Sequence, residues 1–460
     1  MSLSRRQFLK NSPAFALTAG LAVGESSAGV PQSAVAPQST VAKSPPVRAF
    51  PKNFLWGTAT AGHQVEGNNV NSDYWFLEHL PSFPIFKEPS GDACDHYHLY
   101  PTDISMLAAL GFNAYRFSVE WSRIEPAEGA FSRAELEHYR RMLAACKENH
   151  LTTLVTYSHF TAPLWFSSKG GWESTASADL FARFCERTTR HLGDLVDFAA
   201  TFNEPGNPYL LRWFAVPQGY QLGPGSASEA FQRSLTALRT KEGLKNFSAF
   251  MFGDPVSTRA NMIAAHAKGK AAIKSVRSSL PVGLTLAVED DQPVGSNSRI
   301  EEKRSEVYSP WIEVAKADDF LGVQSYTRER IADKQLPPPA GAEITTSGME
   351  FYPEAIEGAL RFVASRVGIP LIVTENGVAT VDDERRRVYY RRALEGVYRA
   401  ISSGIDVRGY VAWSLLDNFE WMAGYGPTYG LVAVDRDTQQ RTIKPSAVML
   451  GNIARANALP

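Results

Sequence analysis

The sequence contains little that would support a disulfide framework, a zinc site or a surface for nucleic acid. Only three of its 460 residues are cysteines, Cys94, Cys146 and Cys185. Because their spacing fits neither paired disulfides nor a zinc motif, we interpret them as buried apolar side chains. The 47 Lys and Arg residues almost balance the 48 Asp and Glu residues, which gives a formal net charge of -1. A chain this close to neutral has no overall field for a phosphate backbone, so we predict no nucleic-acid partner.

Long hydrophobic runs are scarce as well, and the one near the N-terminus has the features of an export signal. The apolar run at 13–23 is much shorter than the roughly 20 residues that cross a bilayer, so we predict no membrane span. It follows Arg5 and Arg6 and precedes small residues at cleavage spacing, and it resembles a twin-arginine signal peptide. We therefore predict a signal peptide over residues 1–28, a Pro/Ser/Ala-rich linker over 29–47, and export to the periplasm or the exterior of a bacterium.

The remainder of the chain alternates short β-rich apolar segments with stretches whose apolar residues follow helical spacing. The predicted strands are 54–59, 113–121, 152–159, 198–204, 282–288, 320–326, 371–375 and 409–414. Helical patterns lie between them, notably at 133–149, 179–192, 259–276 and 384–402.

Eight alternating βα units in about 400 residues predict a single α/β domain, a (β/α)8 TIM barrel over residues 48–460. Loops would be inserted at 66–100, 206–258 and 416–440. An open doubly wound sheet fits less well, because eight strands are present and no glycine-rich phosphate loop follows the first one.

Two of the predicted strands end in a glutamate next to an asparagine, Glu204 on the fourth strand and Glu375 on the seventh. A carboxylate at the edge of an apolar core is costly unless it is solvated, paired or used. One such glutamate would commonly be a solvated strand terminus. Two of them, at the end of the barrel where catalytic groups gather, favour catalysis. Two facing carboxylic acids are suited to glycosidic bond cleavage, in which one donates a proton and the other captures the anomeric carbon.

Arg116 lies within the otherwise apolar second strand and requires an anion. If it faces the barrel mouth, it would hold one of the two glutamates in the ionised state, as a nucleophile requires. The alternative is a local ion pair with Glu120, four residues onward on the same face of the strand, and both interactions could belong to one network.

Several ordered motifs resemble glycoside hydrolase family 1, and the resemblance runs from about Phe50 to Ile453. The motifs are Thr201-Phe202-Asn203-Glu204-Pro205, Val373-Thr374-Glu375-Asn376-Gly377, Phe54-Leu55-Trp56-Gly57-Thr58-Ala59 with Gln64-Val65-Glu66-Gly67, Tyr115-Arg116-Phe117-Ser118, His159-Phe160 and Trp413-Ser414-Leu415-Leu416-Asp417-Asn418-Phe419-Glu420-Trp421. Several residues depart from the family pattern, among them Phe160, where the family mostly has Trp, and Tyr429, where Phe is common. Gln324 stands where the family usually has Asn, and Gly206 stands where an aromatic residue often lines the aglycone side.

The resemblance implies a role for each matching residue. Glu204 matches the general acid/base and Glu375 the nucleophile. Arg116 and Tyr326 match the pair that contacts the nucleophile, and Asn203 matches the residue that binds the sugar 2-hydroxyl. The floor of the sugar subsite would be formed by five residues: Gln64, His159, Trp413, Glu420 and Trp421.

The function that the resemblance implies is a retaining, exo-acting β-glycosidase of the β-glucosidase type. Its substrate would be a small-molecule or oligosaccharide β-glycoside, and it would require neither a cofactor nor a metal. Two alternatives on the same scaffold are a transglycosidase and a non-catalytic sugar-binding protein, although the latter would be expected to lack a carboxylate that is present here. The sequence gives no prediction of the oligomeric state.

Overall fold

The structure, a computed structural model, describes residues 48–215 and 224–460. Its centre is a closed barrel of eight parallel strands. In chain order the barrel strands, named β1 to β8, are Leu55–Ala59, Ala114–Ser118, Thr152–Ser158, Phe198–Asn203, Val282–Ala287, Phe320–Gln324, Leu371–Glu375 and Val407–Trp413. The predicted TIM barrel is confirmed, with each strand within a few residues of its predicted position. The predicted signal peptide and linker, 1–28 and 29–47, lie outside the described residues.

A major helix, or a pair of helices, follows each barrel strand on the outside. In chain order these are His96–Leu110, Arg133–Glu148, Ser177–Leu192, Pro255–Val276, the pair Ile300–Val307 and Ser309–Ala315, Ala355–Val367, Asp383–Ser402 and Pro445–Ala456. Shorter helices are Gly62–Val65, Asp73–Glu78, Trp121–Ile124, Leu164–Ser168 and Asn207–Leu210. A further helix of 15 residues, Ala227–Lys241, lies within the second inserted loop. Within residues 48–215 and 224–460, none of the helices combines the length and the apolar character needed to cross a membrane.

The structure corrects two of the predicted boundaries, and a helix cap explains the first of them. The fourth major helix begins at Pro255 rather than at the predicted 259, because the Asp254 side chain accepts from the Ser257 backbone N–H and proline fits the first helical position. The second inserted loop, predicted over 206–258, therefore ends before Pro255. The first, predicted over 66–100, ends before His96, where the first major helix begins.

A small three-stranded sheet above the barrel is absent from the sequence prediction. It consists of Asp290–Pro293, Arg328–Ile331 and Gln335–Leu336, which follow β5 and β6. Its strands are short and polar, so they carry no apolar alternation that would identify them. There are two further antiparallel pairs. One joins Arg48–Ala49 to Ala458–Leu459, and the other joins Val432–Val434 to Arg441–Ile443.

The barrel interior changes from apolar to polar along its axis. Side chains near the strand starts form a buried apolar cluster, made by Ala114, Leu154, Phe320 and Ile372 with Leu55 and Phe198 packed against it. Further along, four polar side chains from four different strands are buried against one another, namely Arg116, Asn203, Thr285 and Gln324. The polar layer therefore begins where the apolar layer ends, just below the carboxyl ends of the strands.

Strand register is irregular beside both glutamates identified from the sequence. The pairing of β4 with β5 shifts between Ala200 and Asn203, and the pairing of β7 with β6 shifts between Val373 and Glu375. Irregularities of this kind interrupt the strict in–out alternation of a strand and redirect the side chains that follow. They occur here directly before Glu204 and at Glu375.

Candidate active site

Glu375 is the last residue of β7 and is held by two donors. It is buried, with 4 % of its surface exposed. Arg116 Nη1 donates to Oε1 at 2.5 Å, and the Tyr326 hydroxyl donates to Oε2 at 2.6 Å. Both carboxylate oxygens are therefore fixed, and an ionised Glu375 has a cation against it.

Glu204 follows β4 and is held more loosely. Its backbone N–H donates to the Thr285 carbonyl at 2.8 Å, which ties it to β5, and its φ of 45° lies in the left-handed region. Its side chain is half-buried, and Oε2 accepts from Asn207 Nδ2 at 2.7 Å. Unlike Glu375, it has no ion pair among the described residues.

Arg116 connects the strands that carry the two glutamates. While Nη1 reaches Glu375, Nη2 donates to Asn203 Oδ1 at 2.6 Å, directly before Glu204. The alternative partner, Glu120, instead accepts from Asn69 Nδ2 at 2.7 Å and from the Thr161 hydroxyl at 2.8 Å. The structure thus places the arginine in the barrel mouth rather than in a local pair on its own strand.

The two glutamates have different electrostatic surroundings. Burial and the nearby charge of Glu375 raise the pKa of Glu204 to about 8, against smaller opposing contributions from Asn207 and Arg116. Burial also raises the pKa of Glu375, but the charge of Arg116 and the hydrogen bonds from Tyr326 and Arg116 oppose that rise. Since the cation is bound to Glu375, the proton that the pair retains near neutral pH belongs on Glu204.

His159 combines one satisfied ring nitrogen with one that is available to a ligand. Burial and the charge of Arg116 hold the pKa of His159 well below its usual range, so the ring is neutral. Asn203 Nδ2 donates to Nε2 at 3.0 Å, and the ring proton must therefore be on Nδ1. That Nδ1 is buried without a partner among the described residues.

Gln64 offers a hydrogen-bond acceptor to a ligand, whereas His159 offers a donor. Its amide nitrogen donates to the Phe419 carbonyl at 2.7 Å and to Asn418 Oδ1 at 3.0 Å, while its Oε1 is buried without a partner in the described part of the chain. The Glu420 carboxylate lies 3.4 Å from Gln64 Nε2 and also 3.4 Å from Trp413 Nε1. Burial raises the pKa of Glu420 to about 8.

Aromatic rings surround these polar groups. The rings of Trp413 and Trp421 both stack on His159, with centroid distances of 6.0 Å and interplanar angles of 24° and 19°, respectively. Trp421 also stacks on His63, at 5.8 Å and 4°. A wall of flat apolar faces beside unpartnered donors and acceptors is suited to a sugar, which has C–H faces and hydroxyl edges.

The structure therefore brings together all ten residues predicted from the sequence, at the carboxyl ends of the strands. These are Glu204, Glu375, Arg116, Tyr326, Asn203, Gln64, His159, Trp413, Glu420 and Trp421. Nine of them form one connected set of contacts, and Glu204, next to Asn203 in the chain, is joined to that set by its backbone bond to Thr285, whose side chain contacts Asn203.

Two participating residues, Asn207 and Thr285, were missed by the sequence interpretation, and a third, Gln324, was noted there only as a departure from the family pattern. Asn207 contacts Glu204, and both the Thr285 hydroxyl and Gln324 Nε2 donate to Asn203 Oδ1, at 3.0 and 2.9 Å, respectively. Asn207 could have been found, because Glu-Pro-Gly-Asn is a turn sequence that returns the fourth side chain toward the first. Nothing in the local sequence marks Thr285, whose contact depends on the pairing of β4 with β5.

Comparison with known proteins agrees with this geometry. The family profile described as "Glycosyl hydrolase family 1" matches residues 47–314 and 308–459. "Beta-glucosidase A" of Thermotoga maritima is 30 % identical over 453 residues, which cover 90 % of this chain and 99 % of that protein. "Beta-glucosidase" of an Agrobacterium species is 30 % identical over 86 % of this chain and 93 % of its own length.

Solved structures show the same likeness. The crystal structure of "beta-glycosidase BGL167" has a TM-score of 0.82 and 48 % identity, and covers 89 % of this chain and 98 % of its own. The apo structure of "a beta-glucosidase 1317" has a TM-score of 0.83 and 44 % identity, over 88 % and 99 % of the two chains. Since the family profile extends over the whole barrel that carries Glu204 and Glu375, the chain belongs to glycosyl hydrolase family 1.

Proposed function

We propose that this protein is a retaining, exo-acting β-glucosidase, in which Glu204 is the general acid/base and Glu375 the nucleophile. The observation that carries the proposal is the asymmetry of the two glutamates. Arg116 and Tyr326 both donate to Glu375, while Glu204 has no ion pair in the described part of the chain and has a pKa raised to about 8. One acid is therefore kept protonated and the other ionised, as a retaining mechanism requires.

In the first step, Glu204 donates its proton to the oxygen of the aglycone as the C–O bond breaks. The carboxylate of Glu375 attacks the anomeric carbon and forms a glycosyl ester, and the aglycone leaves as a neutral alcohol. The hydrogen bonds of Arg116 and Tyr326 orient the attacking oxygens. Asn203, fixed by Arg116 and His159, is placed to bind the hydroxyl beside the anomeric carbon.

In the second step, water cleaves the ester. Forming the ester removes the charge of Glu375, which is one of the two main causes of the high pKa of Glu204. The pKa of Glu204 therefore falls, and its carboxylate takes a proton from the water that attacks the anomeric carbon. Two inversions at that carbon leave the β-configuration unchanged, and both glutamates return to their starting states.

Support for a neutral sugar as the glycone comes from the unpartnered groups of the site. His159 Nδ1–H is a donor and Gln64 Oε1 an acceptor, and both are buried without a partner among the described residues. Sugar hydroxyls both donate and accept, so they can satisfy both groups at once. Glucose is proposed because related proteins, including those of Thermotoga maritima and Agrobacterium, are named β-glucosidases.

The direct test measures hydrolysis of paired α- and β-nitrophenyl glycosides and follows the product anomer by NMR before mutarotation. We expect activity on the β-glucoside, with β-glucose as the first product, and glucose released singly from the non-reducing end of β-linked oligosaccharides. Activity confined to α-glycosides, or α-glucose as the first product from the β-substrate, would reject the mechanism.

Two isosteric variants test the separate roles. Glu204→Gln should slow glucosides with poor leaving groups far more than dinitrophenyl glucoside, since an activated leaving group needs no proton. Glu375→Gln should abolish hydrolysis of both, because no nucleophile remains. Equal losses for the two variants on the activated substrate would contradict the assignment.

We further propose that the protein is exported, with residues 1–28 as a twin-arginine signal and the mature enzyme acting in the periplasm or outside the cell. The support is the order Arg5-Arg6-Gln7-Phe8-Leu9-Lys10 before a short apolar run. The test replaces Arg5 and Arg6 by lysine and assays the cell fractions. We expect activity outside the cytoplasm for the natural sequence and inside it for the variant; equal distributions would refute the proposal.

A further inference from the structure

We propose that Asn207 is a positioning residue that makes Oε1, and not Oε2, the oxygen from which Glu204 delivers its proton. The inference rests on the proposed role of Glu204 as the acid/base, and it assigns a role to a residue that lies outside the sugar-binding set. It follows from the local turn, the hydrogen bond and the chemistry of the two groups.

The turn that follows β4 explains why Asn207 is the residue that reaches Glu204. The backbone N–H of Asn207 donates to the Glu204 carbonyl at 3.1 Å, which closes a four-residue turn. The intervening residues, Pro205 and Gly206, have no polar side-chain atoms. Asn207 is therefore the single position in the turn whose side chain can hydrogen-bond back to the carboxyl group.

The contact itself is short and specific. Asn207 Nδ2 lies 2.7 Å from Glu204 Oε2. Across residues 48–215 and 224–460, no other group donates a hydrogen bond to this carboxyl group. Glu375, in contrast, receives donors on both oxygens. Orientation of the acid in this part of the structure thus depends on one amide.

The polarity of that amide decides where the proton resides. An amide N–H can only donate, so Oε2 must accept. A carboxylic acid has one proton, and its carbonyl oxygen is a stronger acceptor than its hydroxyl oxygen. The donor on Oε2 therefore favours the carbonyl at Oε2 and the hydroxyl on Oε1, which is free to reach the aglycone oxygen. In the second step the same Oε1 takes the proton from water, while the bond from Asn207 stabilises the carboxylate that does so.

The amide oxygen of Asn207 could face Glu204 instead of the amide nitrogen, and this is the competing arrangement. Asn207 Oδ1 is buried without a partner among the described residues. If the amide were reversed, Oδ1 would face Oε2 and would accept the acid proton from it, so that the proton would be held within the turn rather than offered to the substrate. The two arrangements have opposite effects on the ionisation of Glu204, and the experiment separates them.

The test substitutes Asn207→Leu, which has a similar shape and no donor, in the full-length protein. Because the hydrogen bond from Asn207 favours the ionised form of Glu204, its loss raises the pKa of that group. We expect the basic limb of the kcat/KM–pH profile to move to higher pH. We also expect kcat/KM to fall about 10- to 100-fold for alkyl glucosides, and to stay within about twofold for dinitrophenyl glucoside.

The matched control is Asn261→Leu. Asn261 Nδ2 also donates to an oxygen, the Trp172 carbonyl at 3.0 Å, but it makes no contact with Glu204. It should leave the leaving-group dependence and the pH profile unchanged. If Asn207→Leu fails to fold, as judged by circular dichroism, Asn207→Ala replaces it, and Asn207→Gln, which retains the donor, should recover part of the loss.

Two results would overturn the inference. Equal losses on both substrates with an unmoved basic limb would show that Asn207 has only a structural role. A basic limb moved to lower pH would show the reversed amide. Either result leaves the proposed function intact if Glu204→Gln still discriminates between the substrates, whereas loss of that discrimination would reject the role of Glu204 itself.

Discussion

Replacing Tyr326 by phenylalanine should make the nucleophile easier to protonate. The tyrosine hydroxyl donates to Glu375 Oε2 at 2.6 Å, and its loss leaves the ring in place while removing one donor from the carboxylate. A hydrogen bond to a charged group contributes about 1.5–3 kcal/mol, and 1.36 kcal/mol corresponds to one pH unit. Because Tyr326 favours the ionised form of Glu375, its removal raises the pKa of that group.

The assay is the acidic limb of kcat/KM against pH for an aryl β-glucoside, since activity is lost when falling pH protonates the nucleophile. We expect the limb to move to higher pH by about one to two units in Tyr326→Phe. The matched control is Tyr429→Phe, whose ring packs edge-on against Tyr326 at 5.8 Å. An unmoved limb in Tyr326→Phe, or an equal movement in the control, would refute the claim that this hydroxyl holds Glu375 in its ionised state.

Three other substitutions test the sugar site and the fold. Gln64→Leu removes a buried acceptor and should raise KM roughly tenfold while leaving the shape of the pH profile unchanged, as measured by initial rates. Lys303→Met removes the buried cation that is paired with Asp291. It should lower the free energy of unfolding, measured by urea titration, by about 3–5 kcal/mol. The loss should be smaller at low pH, where Asp291 is protonated. Gly451→Ala would place a Cβ 1.9 Å from the Leu110 carbonyl oxygen and should cost about 1–3 kcal/mol.

Each of these three substitutions has a matched control substitution on the surface or away from the site. Gln232→Leu disrupts an amide contact on the helix Ala227–Lys241 and should leave KM unchanged. Lys316→Met breaks an exposed pair with Glu313, which should contribute at most about 1 kcal/mol. Gly426→Ala would place its Cβ at an ordinary 3.7 Å from the nearest atom. If a control changes KM or the free energy of unfolding as much as the substitution that it is matched to, the corresponding argument from burial or close approach is wrong.

The strands and major helices were predictable because burial leaves a local pattern of apolar residues in the sequence. Segments such as Leu371–Glu375 are buried on both faces, so they form nearly continuous apolar runs. The helix Arg133–Glu148 has apolar residues on one face and a serine cap before it, and both features are local. The small sheet formed by Asp290–Pro293, Arg328–Ile331 and Gln335–Leu336 lacks such a pattern and was missed.

The identities of the site residues were also available from the sequence, but their contacts were not. A glutamate that ends an apolar strand is visible in the chain, as is an arginine within one. The choice of Arg116 between Glu375 and Glu120 depends on which way β2 faces in the closed barrel, and the local sequence allowed either partner.

The amino-acid sequence alone identified the groups available for chemistry. These are two glutamates at strand ends, one arginine inside a strand, and a segment of aromatic and polar residues near the C-terminus. Closure of the barrel established which of them touch. Asn203 receives Arg116 from β2, Thr285 from β5 and Gln324 from β6, and none of these neighbours is close to it in sequence. The physical reason is that the apolar patterns of strands and helices are local and can be read along the chain. The ionisation of Glu204 and Glu375, in contrast, depends on charges and hydrogen-bond donors that other strands supply.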